Sequence, residues 1–450
     1  MEGDRLSASA VKLKKITDNS LLLYAVAAVL AVGFGIFVIL TAEKVNVYYP
    51  MFTAVFYGGL FFASEAILIA QKRFDALTLL VGCACAACVM FARVSLLYYV
   101  SDDYDAFLKE WVKSLGGMSV REALCASIGD YNLPYIYILL IFSRINFNSM
   151  MLIKGLSCLF DVLLAYYVMK IVMFGVEDRR LQMASFVLTL AAPTVMINSA
   201  QWSQCDAIFV TFCLISMLKA LEGKGRPCAI FWTAAFCFKM QAVFILPALG
   251  IALFMGKVQW KHLIWIPAVY LISLIPALLA GRSLASCIGI YAHQTQEYAF
   301  LFHNAPTIWR FFEGADFESF SVVSVFSAGA AAILFVYFCA TFVKEMDDKD
   351  LIKLFFISAM LIPYLLPRMH ERYFYLADIL ALIYFIYDRR KWYIPVALIL
   401  SSVIGYMFYF TEIVIIDQKY IAIVFLVILA TETREFFKKF WHKTPDGIVL

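Results

Sequence analysis

Residues 99–143 read YVSDDYDAFLKEWVKSLGGMSVREALCASIGDYNLPYIYILLIFS, the longest polar-rich interruption in an overwhelmingly apolar chain. The stretch leaves an apolar run at Tyr98-Tyr99 and at once presents Asp102, Asp103 and Asp105, then Asp130 beside Tyr131, Pro134, Tyr135 and Tyr137. Around it, 450 residues are 63% hydrophobic and 16% charged, with mean hydropathy +0.83, so water is not the solvent for most of the chain. Apolar runs of about 18 to 25 residues, each able to cross roughly 30 Å of hydrocarbon, alternate with short charged connectors. Backbone in lipid must satisfy its hydrogen bonds within the segment, and these connectors do not suit a closed barrel. The expected class is an all-α polytopic membrane protein. The net charge of +4 reflects basic connectors, and nothing points to nucleic acid.

The spans are expected at Leu21–Thr41, Met51–Gln71, Leu77–Tyr99, Met150–Phe174, Gln182–Ala200 and Ala207–Leu221. A close pair follows within Cys228–Met255, then His262–Gly281, Ser319–Val343, Leu351–Pro367, Tyr373–Tyr387, Trp392–Thr411 and Gln418–Thr433. Basic connectors at Lys72-Arg73, Arg179-Arg180, Lys224/Arg226, Lys257/Lys261, Lys344/Lys349, Arg389-Arg390-Lys391 and the C-terminus define a cytoplasmic side. They fall on one side if Leu133–Arg144 is a short helix in an outer loop and if Cys228–Met255 is two short segments meeting near Lys239-Met240-Gln241. About 13 to 14 membrane segments result, with both termini cytoplasmic. The polar, aromatic-rich connectors then face outward: the Asp103 loop, 201–206, 282–318 and 368–372. Three regions are expected: 1–76 with two N-terminal helices, 77–260 with the motifs below, and 261–450. The eleven cysteines, including Cys83, Cys85 and Cys88 in one apolar run, read as small packing residues.

Candidate chemistry lies in the outer connectors. Asp103 follows a membrane exit and precedes Tyr104, Phe107 and Trp111; Phe107 and Trp111 stand four apart, so a helix sets both rings on one face. A carboxylate there suits proton abstraction, although a solvated loop end has the same composition. Asp130 sits in Gly129-Asp130-Tyr131-Asn132 before Pro134-Tyr135, which serves a second carboxylate with tyrosine contacts or a plain helix entry. Gln201-Trp202-Ser203-Gln204-Cys205-Asp206 places amides, a carboxylate and an indole where a simple turn would do. Gln204 and Asp206 suit sugar hydroxyls or a phosphate, with Trp202 as a stacking face. Lys239 and Gln241 interrupt an apolar run, so the ammonium needs an anion, water, or an intramembrane acid such as Asp161. Lys154, seven residues before Asp161 on the same helical face, competes for that acid. Arg93 lies two turns inside its helix, and Met369-His370-Glu371-Arg372-Tyr373 ends another; the planar fork of Arg372 suits a phosphate. In the loop 282–318, Gln294 and His303 are candidate acceptor contacts.

SDDYDAFLKEW, IGDYNLPYIY, NSAQWSQCDAIF, FKMQAVFILP and PRMHERYFY, in that order, resemble the GT-C class of integral-membrane glycosyltransferases. The nearest resemblance is to the bacterial group related to the second mannosyltransferase of GPI-anchor synthesis, from about Leu77 onward. It implies a GT-C-type helical bundle with a catalytic first outer loop carrying Asp103, and a second polar or acidic site at Asp130, Gln204 and Asp206. It further implies an inverting sugar transfer from a polyprenyl-phosphate donor to an extracytoplasmic glycolipid, polysaccharide or wall polymer. Arg372, His370, Lys239 and Arg93 would hold the donor phosphate. Tyr104, Tyr131, Tyr135, Trp202, Gln241, Glu371, Gln294 and His303 would contact sugar or acceptor. No metal or other cofactor is expected, because the leaving phosphate is already charged and no compact ligand set is apparent. The setting implied is a bacterial plasma membrane. The alternatives are a polysaccharide polymerase or ligase using polyprenyl-diphosphate substrates, and a secondary transporter or lipid flippase with polar groups at the midplane of two related halves. The family gives no role to the helices at 21–41 and 51–71.

Overall fold

A computed structural model describes residues 20–45, 47–296, 301–302, 304–312, 314 and 317–441. Among these the chain is all helix without a strand, apart from an isolated antiparallel bridge between Asn304 and His370. Seven described helices are long and apolar enough to cross a bilayer: Leu21–Thr41, Pro50–Ala70, Ala76–Leu96, Ser149–Gly175, Trp260–Ala280, Phe320–Ala340 and Arg389–Thr411. Arg179–Ala191 and Pro193–Gln201, bent by 46° at their junction, make an eighth if taken as one span. The bend has a local cause. Pro193 disfavours helical backbone in the residue before it, and Ala192 leaves the helix at φ −58°, ψ 123°. Many aliphatic side chains on these helices face outward, among them Val29 at 70% and Leu279 at 83% exposure, as lipid-facing surfaces require. Cys85 and Cys88 are also exposed, whereas seven of the other cysteines are buried.

The remaining expected spans are present as helices that are too short, or too charged over a full-length window, to qualify alone: Asp206–Leu221, Gly225–Phe238, Leu246–Phe254, Asp348–Leu365, Tyr375–Tyr387 and Gln418–Trp441. Leu133–Phe142 is a helix of ten residues. The break at Lys239 is sharp: helix stops at Phe238, Lys239 is extended at φ −146°, ψ 136°, and a 3-10 turn, Met240–Ile245, follows.

By contact density the chain divides into two units that interleave in sequence and cut across 77–260: Met1–Ala106 with Phe147–Ala207, and Phe107–Asn146 with Ile208–Leu450. In the first, the two N-terminal helices approach closely through small residues. A Cβ on Gly35 would lie 3.2 Å from the Ala54 carbonyl oxygen, and one on Gly58 3.1 Å from that of Ala31. Phe56 of this hairpin packs on Gly155, which attaches the pair to Ser149–Gly175. Asp75, Asn148 and Asp178 cap the helices that follow them by accepting from backbone N–H groups.

The connectors of the second unit sort by charge. Lys257 pairs with Asp348 and donates to the Leu221 carbonyl; Lys391 bonds Glu432 at 2.7 Å and Glu435 at 2.6 Å; Lys353 bonds Glu432 at 2.8 Å; Lys439 bonds Asp350 at 2.6 Å. All the lysines of this set belong to connectors or helix ends read as cytoplasmic, except Lys353, which stands one turn inside. Connectors read as outer join one another. Arg282 donates to the Ala126 carbonyl and to Ser127, Arg368 N–H to the Leu301 carbonyl, and Arg310 pairs with Asp417 at 3.4 Å.

Candidate functional site

In the first unit the Asp103 loop and the Trp202 hexapeptide form one hydrogen-bonded assembly. Lys154, fully buried in an apolar helix, donates to the carbonyl oxygens of Leu97 at 2.8 Å and Tyr99 at 2.6 Å. An amine donor is placed where the Ala76–Leu96 helix ends and its carbonyls lack helical partners. The chain therefore leaves the helix along a fixed path. Two residues on, Ser101 donates to the Trp202 carbonyl at 2.8 Å and accepts from Tyr104 N–H at 3.3 Å. Trp202 Nε1 and Gln204 Nε2 donate to the same Asp103 carboxylate oxygen, at 2.9 and 2.7 Å. Asp103 is half-buried.

The hexapeptide is shaped for this. Ile197–Gln201 is a π turn, a widened turn that re-aims the side chains after it, and a second π turn, Tyr104–Leu108, follows Asp103. Ser203 adopts φ +69°, a left-handed backbone that costs a serine of order 1 kcal/mol. Gln204 is pinned by Ser157, which donates to its carbonyl at 2.7 Å, and by its own N–H to the Asn198 carbonyl at 2.9 Å. Asn198 Nδ2 in turn donates to Asp206 at 2.8 Å. Asp206 opens the Asp206–Leu221 helix, where a carboxylate complements the helix dipole, and it is 2% exposed. It therefore acts on the assembly through Asn198.

Several expected roles change. Trp202 is completely buried, so its ring is no stacking platform for a sugar; the useful group is its N–H. Asp161 pairs with Arg93 and with Ser199, and Arg93 also donates to Ser199 at 3.1 Å and to the Leu190 carbonyl at 2.7 Å. Both charges are 1% exposed, so Arg93 is spent on an internal pair and not displayed to a phosphate. The acid expected to attract Lys154 or Lys239 is thus held by Arg93, and Lys154 takes carbonyls instead. Tyr104, at 7% exposure, bonds Ser149 at 2.8 Å, and Tyr135 is 1% exposed. Neither ring offers an open contact face.

In the second unit, Phe107 and Trp111 sit with ring centroids 6.1 Å apart, Trp111 meets Tyr131 edge-on at 5.7 Å, and Tyr131 meets Tyr135 at 4.8 Å. Gly129 is required beneath this ladder, because φ is +71° and a Cβ would lie 2.7 Å from the Trp111 ring. Asp130 is exposed beside it, and Asn132 donates to the Phe236 carbonyl at 3.3 Å. Lys239, 7% exposed, places its ammonium 5.5 Å from the Tyr131 ring centroid and 6.0 Å from that of Phe209. Gln241 is half-buried in the 3-10 turn. His370 and Glu371 are buried, Arg372 lies 3.9 Å from the Glu371 carboxylate, and its guanidinium is 5.9 Å from the Tyr373 ring. Gln294 lies in the Leu284–Gln296 helix with its side chain outside the described set, and His303 lies outside the described residues.

Asn198, Ser157 and Lys154 are the contributors that the sequence did not mark as part of this assembly. Asn198 carries a signal, since it stands in the same polar motif as Gln204; Ser157 carries none. Among the described residues no three His, Cys, Asp or Glu side chains are arranged to hold a metal ion. No protein-family profile matches the sequence, and no curated protein matches it.

Proposed function

We propose that the chain is an inverting membrane glycosyltransferase of GT-C type that moves a sugar from a polyprenyl-phosphate donor to a hydroxyl on an extracytoplasmic acceptor. The observation that carries this reading is the half-buried carboxylate of Asp103, fixed by two N–H donors at the exit of a membrane helix. A donor with an isoprenoid tail is soluble only in lipid, so its sugar must be met at the bilayer boundary. In this reading Asp103 takes the proton of the acceptor hydroxyl while that oxygen bonds to C1 of the sugar. The C1–O bond to phosphate breaks, and the electron pair leaves with a phosphate that needs no proton.

Trp202 and Gln204 are positioning residues, which fix the rotamer of the base, and Asp206 supports them through Asn198. The phosphate-holding role falls to Arg372, His370 and Lys239, and Arg93 is left out because Asp161 occupies it. About fourteen crossings, cytoplasmic termini and an outer active face complete the reading, from the sidedness of basic connectors. Support for that sidedness comes from the second unit, where inner connectors pair with inner and outer with outer.

The deciding experiment is transfer by purified Asp103→Asn protein, with polyprenyl-phosphate and polyprenyl-diphosphate sugars compared as donors. Loss of a general base costs about 10²- to 10⁴-fold. Turnover near wild type with the monophosphate donor eliminates Asp103 as the base, and turnover only with the diphosphate donor replaces this function by a polymerase or ligase.

A further inference from the structure

We infer that the second unit carries a recognition site for an acidic phospholipid head group, formed by Arg226, Lys261 and the aromatic residues beside them. Two connectors build it. Residues 219–226 and 257–262 hold Lys219, Lys224, Arg226, Lys257 and Lys261 against a single acid, Glu222. The connectors pack backbone to backbone: a Cβ on Gly225 would lie 3.1 Å from Val258 Cα and would overlap the His262 ring. Lys257 also donates to the Leu221 carbonyl at 3.2 Å. Their charges therefore fall on one patch, at the end of the Trp260–Ala280 span.

Pairing leaves part of this charge uncovered. Glu222 takes Lys219 at 2.9 Å and Lys224 at 2.8 Å, and Lys257 pairs with Asp348. Arg226 and Lys261 are exposed, and among the described residues neither has a carboxylate or a hydrogen-bond acceptor. Lys353, Lys391 and Lys439 of the same unit are by contrast occupied by Glu432 and Asp350. The Arg226 guanidinium lies over the Trp265 ring, 4.1 Å from its centroid. That contact uses the face of the cation and leaves its in-plane fork of N–H donors available, the arrangement that suits two phosphate oxygens.

The surroundings select a lipid over a soluble anion. Trp260 and Ile264, 66% and 68% exposed, flank Lys261, and Phe254, 50% exposed, meets Trp260 edge-on at 6.2 Å. A water-soluble phosphate leaves these side chains uncovered, whereas a lipid sets acyl chain against them and its phosphate against the cations. In phosphatidylcholine the choline of the same head group opposes Arg226 and Lys261; an acidic head group carries no such cation. Each basic residue at an anionic lipid surface is worth about fivefold in affinity. The inference rests on the chain lying in a membrane and is independent of the transferase reading.

The test uses the full chain in phosphatidylcholine nanodiscs containing a phosphatidylglycerol with a diazirine on its acyl chain close to the glycerol, irradiated and mapped by peptide mass spectrometry. Label is expected on residues 254–265, displaced by unlabelled phosphatidylglycerol and not by further phosphatidylcholine. Lys261→Gln, at an exposed side chain that folding does not depend on, should weaken labelling about fivefold, and Lys261→Gln with Arg226→Gln about 25-fold. Arg226→Lys, which keeps the charge, should retain most of it. The inference is overturned if a phosphatidylcholine bearing the same diazirine labels 254–265 equally well, or if the Lys261→Gln and double-variant proteins label like wild type. Displacement at constant ionic strength by inorganic phosphate would make it a soluble-anion site, and displacement by oligoglutamate a site for an acidic protein segment; either also overturns it.

Discussion

Gln204 donates its side-chain amide to the carboxylate of Asp103 at 2.7 Å, across 101 residues of sequence. The contact joins the Asp103 loop to the polar hexapeptide and gives the proposed base a fixed direction. Removing the amide while keeping its bulk, as in Gln204→Met, should lower kcat about 10-fold or more, the order of one or two lost hydrogen bonds to a charged group, and leave donor KM within about twofold. Trp202→Phe should act the same way through the indole N–H. Steady-state kinetics on purified protein decide the matter: a change confined to KM would make these residues substrate contacts instead.

The buried pair of Arg93 and Asp161 gives a second prediction. Both charges are 1% exposed, so removing one leaves the other unpaired in the apolar interior. Asp161→Leu alone should destabilise by about 3–5 kcal/mol, seen as lost expression or a large drop in melting temperature. The double variant Arg93→Met with Asp161→Leu should recover most of that loss and keep measurable transfer. A double variant that folds but is catalytically dead would return Arg93 to the phosphate-binding role.

Which of these relationships the sequence could show depends on their range. Apolar runs and basic connectors gave the helices, because both are properties of consecutive residues. The unusual composition of the hexapeptide and of the Asp103 loop singled them out separately. That Trp202 turns its N–H to Asp103 instead of its ring to a ligand depends on the π turn at Ile197–Gln201 and on the backbone of Ser203, which no composition reveals. For Asp161 the sequence offers Lys239 from another segment and, by spacing along its own helix, Lys154. The ion pair forms between helices, and local periodicity is silent about that. The N-terminal hairpin is an intermediate case. Gly35 and Gly58 stand in plain view, and only the packed helices show that each faces an alanine carbonyl.

Arg372 supplies the third prediction. Its guanidinium is 15% exposed and 3.9 Å from the Glu371 carboxylate, a separation at which that pair ties it only loosely. If it holds the departing phosphate, Arg372→Ala should slow transfer about 100- to 1,000-fold, and Arg372→Lys should restore part of the rate, since a point charge replaces a planar fork. The variant should also lose inhibition by added polyprenyl phosphate. Unchanged product inhibition in Arg372→Ala would assign the leaving group to other residues.

The charged connectors around Asp347 and Asp388 give the last prediction, which concerns stability against pH. The Arg390 side chain grips the Asp388 carboxylate with two bonds of 2.8 Å and holds its pKa below the usual carboxylate value. At Asp347 burial pushes upward, yet the Asp350 N–H and Lys439 outweigh it and the net shift is also downward. A carboxyl depressed in the folded state binds its proton more readily when unfolded. Its contribution is therefore complete above the ordinary carboxylate pKa of about 4 and is lost as pH falls through the lower folded value. The melting temperature of the purified protein should be flat from pH 7 to about 5 and fall below about 4. In Asp388→Asn protein the fall should be shallower, because one of the groups that drives it can no longer take up a proton. Both partners are accessible to salt, with Arg390 88% exposed, so raising ionic strength should flatten the profile as well. A melting temperature that instead rises on acidification would show that the carboxyls buried within the helices, and not these connectors, govern the acid limb.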